Sequence, residues 1–110
     1  IMHTKMAWFY LLVAGFFEVG WALGMKYTEG FTRLWPSLGV LVVMGLSVYF
    51  LSLAVRVIDL GTAYAIWTGI GIAGTALAGM VWFGESTSLL RLFFIFLILA
   101  SVVGLRMIAK

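Results

Sequence analysis

The chain has no cysteine, one histidine, one proline and few charges. Without cysteine there is no disulfide framework and no thiolate metal site. The lone His3 lies outside the apolar segments and cannot make a metal site by itself. Only 10% of the 110 residues are charged, while 65% are hydrophobic. A soluble domain carries about 25% charged residues, so this chain cannot cover a water-facing surface. The net charge of +3 would suggest nucleic acid in a soluble protein. Here the basic residues are scattered at segment ends, where lysine and arginine reach lipid headgroups, so no nucleic-acid partner is expected. Enzymatic constellations are missing too: there is no Ser/His/Asp set, no paired carboxylates in one span and no phosphate-cradling glycine loop. Neither a cofactor nor catalysis is expected.

What is present is a set of long apolar runs. About 20 residues cross a bilayer as a helix, and four segments qualify: 7–25, 34–55, 60–84 and 89–108. The fourth carries Arg91 and Arg106 near its two ends. Thr28-Glu29-Gly30, Asp59 with Gly61-Thr62, and Gly84-Glu85-Ser86-Thr87-Ser88 mark the breaks. Pro36 sets the start of the second helix, since proline is tolerated in a first turn. Short connections force sequential helices antiparallel. The fold class is therefore an all-α membrane protein, with 6–110 forming one four-helix transmembrane domain and both termini on one side. Residues 1–5 are read as an N-terminal extension or an added remnant. No secretory cleavage site stands out, and the first segment is expected to remain as a span.

Orientation is weakly encoded. The side bearing the termini and the second loop holds Lys5, Arg56, Arg106 and Lys110, and the other side holds Lys26, Arg33 and Arg91. Positive charge normally marks the cytoplasmic side. Four against three is either counting noise or a sign of insertion in both orientations, with copies pairing antiparallel.

Glu18 is the informative residue. It is the one charge between Lys5 and Lys26, near the middle of the first span. An ionisable group there costs roughly 2.5–3.5 kcal/mol on insertion scales, and it usually lines a polar path. An ion- or proton-coupled site follows as the default reading. Leu11, Ala14, Gly15, Glu18, Trp21, Ala22 and Met25 share one helix face. Gly15 leaves room below the acid. Trp21 is a donor one turn above it, or else a belt tryptophan. Tyr64 and Trp67 share a face of the third helix and offer donors for a carboxylate and π faces for a cation. The plainer reading is aromatic packing. Gly69 and Gly71 permit a kink or a close-packing surface. Ser47 is a buried hydroxyl in the second helix, where a bond to a backbone carbonyl is the ordinary outcome. Gly39 and Gly45 read as packing. Ala100, Ser101 and Gly104 form a small-residue patch on the fourth helix, suited to helix–helix contact between subunits. Glu29, Asp59 and Glu85 read as solvated turn or cap residues.

Together these residues resemble the small multidrug resistance family. The resemblance covers nearly the whole chain from Met6. It rests on Phe17-Glu18-Val19-Gly20-Trp21-Ala22, on Lys26-Tyr27, on Gly30-Phe31-Thr32-Arg33-Leu34-Trp35-Pro36-Ser37, and on the run from Gly61 through Tyr64 and Trp67 to Gly71. Trp21 and the Gly61–Gly71 run are similar to the guanidinium-exporter subtype. The resemblance implies an antiparallel, dual-topology homodimer in the plasma or inner membrane. It implies that Glu18 binds protons and guanidinium in turn, and that Trp21, Ser47, Tyr64 and Trp67 orient its carboxylate. Gly15 matches a small residue packed below the site. The implied partners are guanidinium and related small organic cations, protons, the lipid bilayer and a second copy of the chain. The implied function is proton-coupled export by alternating access. Two alternatives stand beside it: a broad exporter of quaternary ammonium or polyaromatic cations in the same family, and a membrane partner subunit without transport of its own.

Overall fold

The computed structural model describes residues 2–109 and contains four long helices, each apolar enough to cross a membrane. They are α1 (Met2–Gly24), α2 (Leu34–Ala54), α3 (Leu60–Trp82) and α4 (Leu89–Ile108). Ile1 of the expected extension and Lys110 of the charge count lie outside the described residues. Helix α1 begins at Met2, so helical hydrogen bonding takes in most of the segment that the apolar pattern sets apart.

The ends of the helices follow local chemistry. Past Gly24 the first helix tightens into a 3₁₀ turn, Met25–Thr28. Thr28 is the hub of the connection that follows. Its hydroxyl donates to the Met25 carbonyl at 2.8 Å and accepts the Phe31 N–H at 3.2 Å. Its carbonyl accepts from Thr32 N–H at 3.0 Å and Arg33 N–H at 3.1 Å. That knot holds Glu29, Gly30 and Phe31 in left-handed conformations, with φ of 49°, 74° and 65°. Pro36 falls in the first turn of α2, where its missing N–H costs no intrahelical bond. Helix α3 stops at Trp82, two residues short of the expected end, because Gly84 turns left-handed at φ 63°. Ser88 caps α4, its hydroxyl accepting the Arg91 N–H at 3.2 Å.

Three connections leave the helices side by side in the order α2, α1, α3, α4. Helix α1 packs against both α2 and α3, α2 and α3 touch at few points, and the backbone of α4 lies along α3. The result is a slab of 43 × 36 × 18 Å, little thicker than a helix with its side chains. Ala7, Leu11, Ala54, Ile58, Ala63 and Ile66 form its buried core. Two cation–π contacts tie distant ends together. The Arg106 guanidinium lies 4.3 Å from the Trp8 ring, and the Lys26 ammonium 4.9 Å from the Phe83 ring. Most other large side chains of α4 face outward, including Phe93, Phe96 and Val103.

Candidate functional site

Small residues let α1 and α3 approach closely. A Cβ at Gly15 would lie 2.8 Å from Ile70 Cγ2, and one at Gly74 would lie 2.6 Å from Val19 Cγ2. Between these two contacts a Cβ at Gly71 would overlap the Glu18 carboxylate. Gly71 is therefore the floor on which the acid rests, and α3 is a continuous α-helix through it. Gly69 faces the opposite way, toward α4, with Val102 Cγ2 2.5 Å from where its Cβ would stand. Both glycines serve close packing.

One turn below Glu18 a hydrogen-bonded chain joins three helices. Trp67 Nε1–H of α3 donates to the Ser47 hydroxyl of α2 at 3.0 Å. Ser47, fully buried, donates in turn to the Ala14 carbonyl of α1 at 2.7 Å. Ser47 thus does bond a backbone carbonyl, but on another helix. The Tyr64 ring leans on Trp67 with centroids 5.5 Å apart and planes tilted by 51°. Tyr64 itself is 55% exposed. The structure brings Gly15, Glu18, Ser47, Trp67 and Gly71 to one junction of α1, α2 and α3.

The polar accounting at this junction does not close. Glu18 Oε1 and Trp21 Nε1 are buried without a hydrogen-bond partner. Buried polar groups are nearly always paired, so each unpaired one marks a place that expects a partner. Ion pairing does not supply it. The salt bridges among the described residues are Glu29–Arg33 at 3.6 Å, in the first connection, and Glu85–Arg91 at 2.7 Å, between the third connection and the first turn of α4. Arg91, near the start of α4, clamps Glu85 beside Gly79. A carboxylate with a free buried oxygen, a donor one turn above it on the same helix and the Tyr64–Trp67 ring pair on the neighbouring one can take a proton or an organic cation.

Sequence reasoning missed two other orphans of the same region, the Thr68 and Thr75 hydroxyls of α3. Their spacing on either side of Gly71 is the signal that marks them. Ala100, Ser101 and Gly104 stand apart from the junction on α4. Ala100 and Ser101 are exposed, and the Ser101 hydroxyl donates to the Leu97 carbonyl at 2.9 Å. No atom lies within 4 Å of where a Gly104 Cβ would stand. The patch touches nothing within the chain that its small residues would need to accommodate.

Residues 6–98 match the family model described as Small Multidrug Resistance protein. Among curated relatives, a protein of Yersinia pseudotuberculosis named "Guanidinium exporter" is 52% identical over 102 residues, covering 93% of this chain and 98% of its own. A Citrobacter freundii protein of the same name is 50% identical over 102 residues, covering 93% and 97%. One from Salmonella typhimurium, also so named, is 49% identical over 104 residues, covering 94% and 99%. With four membrane-crossing helices and this match over most of its length, the chain is a multi-pass membrane protein that belongs to the Small Multidrug Resistance family.

Proposed function

We propose that this protein is a proton-coupled antiporter that exports guanidinium ion and small guanidinyl compounds, working as an antiparallel dual-topology homodimer. The observation that carries the reading is the buried, unpartnered Glu18 oxygen resting on Gly71. The names of the relatives supply the substrate class. Protonated, Glu18 has little attraction for a cation. Ionised, it attracts a unit charge 4 Å away by roughly 4 kcal/mol at an effective dielectric constant near 20. Guanidinium is planar and presents parallel N–H pairs that a carboxylate accepts bidentately. Proton and substrate therefore exclude each other at one group, and alternating access turns the exclusion into exchange.

The neighbours divide the work. Trp21, whose indole N–H is buried without a partner, donates to the carboxylate in the working site. The Trp67–Ser47–Ala14 chain fixes the junction on which the acid sits, and Tyr64 leans on Trp67. Gly15 and Gly71 keep α1 and α3 close enough for α3 to support the acid. In a pair of oppositely inserted copies, two Glu18 carboxylates flank one cation. The subunits then exchange conformations, so the inward-open and outward-open states are equivalent, a midplane rocking logic shared with inverted repeats. Ala100, Ser101 and Gly104 on the open face of α4 provide the contact between copies. Solid-supported-membrane currents test the substrate class. Guanidinium and methylguanidinium should give transport currents. Arginine, with an added carboxylate and ammonium to desolvate, should give none, and tetrapropylammonium, which lacks N–H groups, should give little. Dominant tetrapropylammonium current with none from guanidinium would favour a broad cation exporter instead.

A further inference from the structure

Bound guanidinium needs hydrogen-bond acceptors, and most of the groups gathered around Glu18 are donors. The indole N–H groups of Trp21 and Trp67 can only donate. The Ser47 hydroxyl already accepts from Trp67 and donates to the Ala14 carbonyl, and its one remaining lone pair is enclosed at a fully buried residue. One carboxylate takes the two parallel N–H bonds of one guanidinium edge. Two copies of Glu18 facing the same ion still leave its third edge without acceptors. An N–H stripped of water and left unpaired costs enough to cancel much of the gain from binding.

Thr68 and Thr75 have the free lone pairs. Both hydroxyls are buried and have no hydrogen-bond partner, although a threonine inside a helix ordinarily bonds the carbonyl one turn back. They lie three residues before and four residues after Gly71, and so on the same helix face. Gly71 is the point where α3 meets the Glu18 carboxylate. At 1.5 Å of rise per residue, the two threonines bracket that contact by about 4.5 Å on one side and about 6 Å on the other. Tyr64, four residues before Thr68, continues the stripe and is exposed.

We propose that Thr68 and Thr75 are specificity-determining residues whose hydroxyls accept the guanidinium N–H groups that Glu18 leaves unpaired. The inference rests on guanidinium as substrate and extends it by naming how the site tells an N–H-rich cation from one without donors. Valine keeps threonine's shape and loses its hydroxyl. Serine keeps the hydroxyl and loses the methyl. The test measures guanidinium KM and kcat in proteoliposomes for the wild type, for Thr68→Val and Thr75→Val singly and together, and for the matching serine variants. The double valine variant should raise KM by roughly tenfold or more, the size expected for a lost hydrogen bond to a charged group, while the double serine variant stays near the wild type. Wild-type KM in the double valine variant would overturn the proposal. So would a serine variant as impaired as the valine one, which would indicate packing by the methyl groups. Should the double valine variant fail to reconstitute, the single variants make the same comparison. A wild type that moves no guanidinium would instead remove the substrate reading on which the inference stands.

Discussion

Gly71 has no side chain because the Glu18 carboxylate occupies the space. Gly71→Ala should displace that carboxylate and abolish guanidinium uptake while leaving the protein extractable and folded, as size-exclusion chromatography beside a transport assay would show. Ser47→Ala acts differently. It strands the Trp67 N–H and one Ala14 carbonyl bond at the junction, so it should cost about 1–3 kcal/mol of stability, measurable by denaturant titration in detergent. At this scale the position of the acid was legible and its bonding was not: Trp67 donates to Ser47 and Ser47 to Ala14, while Glu18 Oε1 and Trp21 Nε1 have no partner. A lone acid inside an apolar span announces itself, and Trp21, Tyr64 and Trp67 follow from their donor character and helical spacing. Thr68 and Thr75 were passed over despite their spacing about Gly71, because a threonine within a helix ordinarily satisfies itself on its own backbone. The part played by Gly71 was ambiguous for a related reason. A glycine permits a bend or a close approach equally well, and only the neighbouring helix decides between them.

Among the elements, α3 carries the most demands. Its Ile70, Gly71 and Gly74 meet α1, its Trp67 reaches α2, and its Gly69 receives Val102 of α4. Apart from the Arg106 contact with Trp8 of α1, helix α4 leans on α3. Gly69→Ala would drive a Cβ against a stiff β-branched side chain 2.5 Å away, and overpacking of this kind typically costs 1–3 kcal/mol. The expected result is earlier thermal unfolding, together with faster proteolysis in the loop before α4. The four spans were readable from length and hydropathy alone, but the placement of α1 between α2 and α3 was not. Their ends were less so. Gly84 signals the stop of α3 only if it is left-handed, and nothing in the residue types of Glu29 and Phe31 foretells positive φ. Their conformation is imposed by the bonds that converge on Thr28.

As a whole molecule the chain is a thin row of helices with an acid that no residue among those described neutralises. The pattern told little about how copies assemble, because lipid and a second subunit both accept an apolar surface. The near balance of lysine and arginine across the connections makes a prediction at this scale. Two extra arginines on one side should fix the orientation, and such a variant expressed alone should lose transport. Co-expression with a variant biased the other way should restore it, as uptake into vesicles would show. The central claim is narrower: one carboxyl group holds either a proton or the cation. Its most direct test is guanidinium uptake into proteoliposomes made acidic inside, comparing the wild type with Glu18→Gln. The wild type should accumulate guanidinium as protons leave, and the glutamine variant should accumulate none. Proton-driven uptake that survives in Glu18→Gln would contradict the account.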